Sequence, residues 1–196
     1  MNTLGTSDRP VVAVFDANVL YPFYVRDLFV RLAQAGLVSA RWTEAIHDEW
    51  IRNLLKNEPS LSPDRLARTR NLMDAAVRDC LIVGYEDLIP KLVLPDPDDR
   101  HVLAAAIQAG AEVVVTFNLK HFPAATLRVH GIEAVHPDDF LGSLLDADPD
   151  QVRATVKRQR EALRNPSRTV EELLATLERQ GLARTVARLR PFRESL

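Results

Sequence analysis

Four polar stations, three of them acidic, punctuate this chain at places where their chemistry could combine. Asp16 directly follows the apolar run Val11-Val12-Ala13-Val14-Phe15, and Glu49 lies in the helical pattern Thr43 to Trp50. Asp96-Pro97-Asp98-Asp99 opens a further helical pattern, and Thr116-Phe117-Asn118 closes a second apolar run, Val113 to Val115. In an open parallel sheet, ligands bind in the crevice beyond the carboxyl ends of the strands, so acids at strand ends and adjoining helix starts converge there. Carboxylates gathered in one pocket repel one another and call for a counter-cation, usually Mg²⁺ or Mn²⁺. The chemistry this predicts is metal-assisted hydrolysis.

Taken singly, each acid also has an ordinary reading. Asp16 could cap the helix that follows it, Glu49 could be a solvated helix residue, and Asp98 or Asp99 could complement a helix N-terminus. Helical geometry separates some of these. Glu49 flanks the stripe of Ile46, Trp50 and Leu54, whereas Asp48 points the opposite way, toward solvent. Asp98 and Asp99 both flank the Val102, Ala105, Ala106 face, so periodicity does not choose between them.

Other chemistries lack their residues. The five histidines show no metal-ligand spacing and read as mostly surface or loop positions. No Gly-rich phosphate loop and no Gly-x-Ser-x-Gly elbow is present. A phosphoaspartate mechanism at Asp16 would call for a second Asp two residues on, where Asn18 stands.

The elements that must position these groups alternate between strand and helix through residue 145. Residues 11–15 read as a buried strand, and Pro22 starts a helix carrying Val25, Leu28, Phe29 and Leu32 that Gly36 stops. A short strand over Leu37 to Arg41 precedes Thr43, the expected N-cap of a helix reaching Asn57. Ser62-Pro63 begins a helix with Leu66, Met73 and Val77 on one side, and Leu81-Ile82-Val83 reads as a second central strand. A helix from Asp98 to Ala109 ends at Gly110, residues 112–116 form another strand, and Ile132 to Val135 a last one. Such alternation predicts βαβ units and a parallel sheet covered on both faces. Beyond the polar break Asp146-Ala147-Asp148-Pro149-Asp150 the pattern is purely helical. Val152, Val156 and Leu163 share one face of the first tail helix. Thr169 and Glu172 form a capping box before Leu173, Leu174 and Leu177, and Leu182, Val186 and Leu189 mark a short last helix.

The net charge of −2 hides an asymmetry: residues 1–150 carry a balance of −8 and residues 151–196 one of +6. Arg153, Lys157, Arg160 and Arg164 recur at helical spacing beside the Val152, Val156, Leu163 stripe. They suit an acidic partner, through phosphate contacts to RNA or an acidic protein segment, or else form the solvated face of an amphipathic helix. With 46% hydrophobic residues the chain can build a substantial core. The single cysteine, Cys80, permits no internal disulfide and reads as buried in an apolar helical pattern. Trp42 and Trp50 read as core residues. The first apolar stretch has no basic segment before it and is broken by Asp16. The expectation is therefore a cytoplasmic protein with no signal peptide and no membrane span.

The series Val-Phe-Asp16-Ala-Asn18-Val-Leu-Tyr21-Pro, Arg41-Trp42-Thr43-Glu-Ala-Ile-His-Asp-Glu49, Leu-Pro-Asp96-Pro-Asp98-Asp99-Arg-His-Val-Leu-Ala-Ala-Ala106 and Val-Val-Thr116-Phe-Asn118-Leu-Lys-His121-Phe122 resembles the PIN domain in order and spacing, over roughly residues 10–142. It resembles most the bacterial PIN proteins of the VapC toxin type. The resemblance implies an α/β fold, a three-layer α/β/α sandwich with a central parallel sheet over residues 10–145, followed here by a basic, all-helical C-terminal extension over residues 146–196. It implies an Mg²⁺- or Mn²⁺-dependent endoribonuclease, the toxin of a toxin–antitoxin pair, with Asp16, Glu49 and Asp99 as catalytic and metal-binding carboxylates. Asp96 and Thr116 would be accessory. Where many relatives carry an acid, this chain has Asn118, which offers a carbonyl oxygen without charge, and His121. The partners implied are an RNA substrate, a cognate antitoxin and a second copy of the chain. A competing reading is a PIN-like module with a weakened site that acts mainly by binding protein or RNA, and Asn118 is the residue that favours it.

Overall fold

The structure, a computed structural model, describes residues 9–196. Four short strands, β1 (Val12–Phe15), β2 (Ser39–Arg41), β3 (Val113–Val115) and β4 (Glu133–Val135), form one sheet in the order β2-β1-β3-β4. Every pairing is parallel. Ala13, Val14 and Phe15 alternate between the two faces of the sheet, yet all three are fully buried, so both faces are covered. Phe15 packs against Phe29 and Phe140, the former from helix α2 (Phe23–Gln34). The strand order places β2 on one side of β1 and β3 on the other. The ends of β1 and β3 are therefore a topological switch point, where a crevice opens.

The local signals explain the helices. A short α1 (Ala17–Leu20) follows β1 directly, and α2 runs until Gly36, whose φ of +78° suits only glycine readily. Thr43 caps α3 (Glu44–Asn57), its hydroxyl accepting from the Ile46 N–H at 3.1 Å. Pro63 opens α4 (Pro63–Ala76), and α5 (Arg100–Gln108) is buried along Val102 to Ala106. The helix expected from Asp98 starts instead as a 3₁₀ turn over Pro97–Asp99, with Asp96 as its cap. The segment expected as a central strand, Leu81 to Val83, is a single parallel bridge from Leu81 to Trp42, and Val83 is 73% exposed. An apolar triplet followed at once by Gly84 is too short to extend a ladder (Gly84 φ +74°). Cys80 is buried, though in the connection after α4 rather than in a helix, and burial foremost pushes its thiol up to about 11.

After α6 (Ala124–Arg128) and β4 come α7 (Pro137–Ala147), α8 (Pro149–Ala162), α9 (Val170–Arg179) and α10 (Ala183–Leu189). The expected polar break narrows to one residue: α7 continues to Ala147, and Asp148 caps α8 through the Gln151 N–H at 3.0 Å. Thr169 and Glu172 form the capping box of α9. The tail's apolar stripes are buried on the rest of the chain. Val152 and Val156 are covered where α8 meets α2, and Gln159 Nε2 donates to the Tyr24 carbonyl at 2.8 Å. Leu163 lies beyond the end of α8 and is only half-buried; Thr155 and Gln159 complete the buried face instead. The carboxylate of Asp138, on α7, accepts from the N–H groups of Arg184 and Thr185 and so caps α10. Burial works to raise this carboxyl, but the hydrogen bonds from Thr185 and Arg184 hold it below the usual range. Among the described residues no helix is long and apolar enough to cross a membrane.

Candidate metal centre

Asp16 is the first residue past β1 and the N-cap of α1. Its backbone N–H donates to the Val115 carbonyl at 3.1 Å, which stitches the end of β1 to the end of β3. The side chain is only 2% exposed. Its Oδ2 accepts from the Thr116 hydroxyl at 2.7 Å and from the Asn18 amide. Asn18 is held in turn by the Phe117 N–H on its Oδ1, and it donates to the Thr116 hydroxyl, both at 3.0 Å. The same hydroxyl accepts from the Asn118 N–H at 3.0 Å. One hydroxyl that donates once and accepts twice thus fixes Asp16, Asn18 and Asn118 together. Below this network Arg26, buried, caps the end of α1 through the Leu20 and Tyr21 carbonyls and lies 4.5 Å from the Trp50 ring.

The other acids arrive on different elements. Glu49 projects from α3, with its Oε2 at 3.3 Å from His101 Nε2. Asp99 closes the 3₁₀ turn that Asp96 caps through the Asp98 N–H at 3.0 Å. Its Oδ2 meets His121 Nδ1 at 2.7 Å, while Asp96 Oδ2 is 3.7 Å from the same nitrogen. Asp16, Glu49, Asp99 and Asn118 line one cleft of about 300 Å³, with Tyr21, Asn53 and Asn57 on another part of its wall. Asp98 lies outside this cleft and lines an adjoining depression of about 520 Å³ with Arg52 and His101, and Glu49 and Asn53 border both. The structure therefore separates the two adjacent aspartates that periodicity left equivalent.

Charge in the cleft is one-sided, since among the described residues its lining contains no Lys or Arg. Burial foremost pushes the Asp16 carboxyl up to about 6; the Thr116 hydrogen bond opposes this, and the charges of Asp99 and Glu49 add to it. Asp99 is raised as well, chiefly by burial, with His121 opposing and Asp96 and Glu49 adding. Such a set of anionic oxygens without an internal cation fits a hard divalent ion, and Asn118 can add a neutral carbonyl oxygen. Asp96, Asp99 and His121 bring one ligand atom each within 4.8 Å of one another, so Asp99 sits between this closer group and Asp16 with Glu49.

The basic residues of α8 do not line the cleft, and they are not equivalent. Arg153 pairs with Asp150 and stacks 4.3 Å from the Phe192 ring, and Arg160 pairs with Glu161. Lys157 is exposed, and so is Arg164, which lies beyond the end of α8 and bridges to Ser167 rather than continuing the expected helical stripe.

Three of the histidines expected at the surface are partners of acids. His47 is fully buried, with Nε2 at 2.9 Å from Asp74 and Nδ1 accepting from Trp50, and burial foremost holds its pKa below the ordinary value. His101 and His121 stand against Glu49 and Asp99. Sequence reasoning also missed Asn18 as the clamp on Asp16 and the row Glu49, Asn53, Asn57, which lie four residues apart on α3.

A family model described as PIN domain matches residues 12–120, and one described as VapC50 C-terminal domain matches residues 137–191. A relative from Mycobacterium tuberculosis (strain ATCC 25618 / H37Rv), named "Putative ribonuclease VapC50", is 44% identical over 97 residues, which cover 50% of this chain and 57% of that protein. The matched region thus spans little more than half the length of that relative. No solved structure matches the chain.

Proposed function

The chain belongs to the PIN domain family, and from that membership we propose that it is a metal-dependent endoribonuclease of the VapC type, the toxin of a toxin–antitoxin pair. The observation that carries the proposal is the convergence of Asp16, Glu49 and Asp99 on one cleft that has no cationic side chain in its lining. These three carboxylates would hold Mg²⁺ or Mn²⁺, with the Asn118 carbonyl as a neutral donor. Such an ion, when bound, supplies the Lewis-acid charge for in-line hydrolysis of a phosphodiester, leaving a 5′-phosphate and a 3′-hydroxyl. Thr116 and Asn18 hold Asp16 in one orientation, so that its carboxylate is set without a search among rotamers. His121 does the same for Asp99, and Asp96 fixes the turn that carries it.

Residues 10–145 carry the chemistry in this reading. Residues 146–196 assist binding of RNA or of an antitoxin, with Arg153, Lys157, Arg160 and Arg164 as the contact stripe. The similarity to the relative named "Putative ribonuclease VapC50" supports RNA as the substrate and an antitoxin as the partner; a second copy of the chain is a further partner in this reading. The test is cleavage of RNA by the purified chain with Mg²⁺ or Mn²⁺, by the Asp16→Asn variant, and with a chelator added; cleavage only by the wild-type protein with metal is expected. Growth arrest on induced expression, relieved by a small protein encoded alongside, is the expected outcome for the toxin role. A second reading, a binding module with a weakened site, is favoured by one observation: Asn118 occupies the cleft without adding charge. Metal-dependent cleavage by the wild-type chain would remove it.

A further inference from the structure

The cleft has a second, uncharged part of its lining whose composition is unlike the first. Glu49, Asn53 and Asn57 lie four residues apart on α3 and all border the same cleft. At 1.5 Å rise per residue, Asn53 stands about 6 Å and Asn57 about 12 Å along the helix from Glu49. Asn57 Nδ2 donates to the Tyr21 hydroxyl at 3.0 Å. That bond uses the tyrosine oxygen as acceptor and leaves its own proton free to donate. Asn57 keeps a second amide hydrogen and its carbonyl oxygen, and Asn53 offers the full donor and acceptor set of a carboxamide. Both asparagines and Tyr21 are at least partly exposed, so these groups are open to a ligand.

We infer that Asn53, Asn57 and Tyr21 form a ribose-reading wall: they hydrogen-bond the 2′-hydroxyl of nucleotides flanking the scissile phosphate and so discriminate RNA from DNA. This rests on the ribonuclease reading of the cleft. Three observations argue for the sugar hydroxyl. The three side chains are neutral and share the cleft with carboxylates, so they do not attract phosphates by charge. A 2′-hydroxyl is both donor and acceptor, which a carboxamide matches in either sense, and it is the group by which a protein tells RNA from DNA. The ribose is bonded directly to the phosphate that Glu49 and its neighbours would address, so at Asn53, about one helical turn from Glu49, the sugar comes before any base edge, and Asn57 with Tyr21, a turn further on, would meet the sugar of the next nucleotide. Asn53 also borders the adjoining depression that holds Arg52.

The test is competition binding of randomised single-stranded RNA and DNA pools to the full chain carrying Asp16→Asn, with and without Asn53→Ala plus Asn57→Ala, and separately with Tyr21→Phe. The Asp16→Asn protein should prefer the RNA pool. The double substitution should cut that preference about tenfold, a few-fold for each neutral hydrogen bond lost, and Tyr21→Phe should cut it less. Because no charge changes, the salt slope of RNA binding should stay as it was. Equal binding of the two pools before substitution, or an unchanged preference after it, overturns the inference. So does a change in the bases selected from the RNA pool at a constant RNA-to-DNA ratio, which would mean that base edges are read. Failure of the parent reading shows elsewhere, as absence of RNA cleavage by the wild-type chain with Mg²⁺ or Mn²⁺.

Discussion

Asp16→Asn should make the metal-free protein more stable at neutral pH while removing its activity. The carboxyl is pushed from an ordinary 3.8 up to about 6 in the folded chain, by burial first and then by the charges of Asp99 and Glu49. A raised acid binds its proton more tightly when folded than when unfolded. Stability is therefore lost as pH rises from the unfolded value to the folded one, and the full cost is present above about pH 6. At 1.36 kcal/mol per unit the ionised Asp16 costs about 3 kcal/mol at pH 8, and under about 1 kcal/mol at pH 4. Burial at 2% exposure means that solvent screening takes little from this figure. Asparagine keeps a carbonyl oxygen to accept from Thr116 and Asn18, so the network of the strand ends survives. Urea denaturation in a chelator should show the variant more stable by up to about 3 kcal/mol at pH 8, with the gain shrinking toward pH 4. Added Mg²⁺ should stabilise the wild type by mass action and the variant far less. A variant no more stable than the wild type at pH 8, or a gain that does not change with pH, would refute the argument that a buried carboxylate charge, crowded by its neighbours, is what the cation relieves.

Asn118→Asp should tighten Mg²⁺ binding by about tenfold, the scale of one more charge near the ion, as read by calorimetry; unchanged binding would place Asn118 outside the ligand set. Gly181→Ala should destabilise the chain by about 1–3 kcal/mol, because φ is +100° there and the new Cβ would stand 2.7 Å from the Phe117 ring. Since the Phe117 N–H holds Asn18, cleavage should fall with it, and a variant that melts like the wild type would contradict this coupling. Lys157→Glu with Arg164→Glu should leave thermal stability unchanged but weaken RNA binding. If both residues contact phosphates of single-stranded RNA, the salt slope should flatten by about 1.4, and an unchanged slope would make them ordinary solvated surface. The same change at Arg153 tests something else, because that side chain is already engaged by Asp150 and Phe192.

The elements legible in the sequence were those whose signals are local. The buried run before Asp16, the Thr43 cap, the Thr169–Glu172 capping box and the glycines at 36 and 110 each act over a turn or less, and the structure places them as their chemistry requires. The position of a strand within a sheet is not local. Leu81 to Val83 has the composition of a buried strand, but the places beside β1 go to β2 and β3, and only Leu81 finds a partner, in Trp42. The start of the tail is a similar case. Acids at 146–150 resemble a linker, yet Asp148 works as a helix cap, and α7 on its near side is bound to α10 through Asp138.

The cleft divides along the same line. Asp16, Asn118 and the Asp96–Asp99 turn could be grouped from sequence because strand ends and helix starts in a parallel sheet converge whatever the loops do. Glu49 could be added by its place beside a buried helix stripe, and Asp99 chosen over Asp98 only through the family resemblance. What holds each of them could not. The Thr116 hydroxyl reaches Asp16 across 100 residues and His121 reaches Asp99 across 22, through turns whose course no periodicity encodes. Histidines read singly default to the surface, and only the folded chain shows two of them set against carboxylates of the cleft. Asn53 and Asn57 were hidden for a different reason: a neutral polar residue on a helix looks like solvent-facing surface. Their four-residue step from Glu49 carries meaning only once Glu49 is known to border a cleft. The position of one acid thus converts two unremarkable asparagines into candidates for substrate recognition.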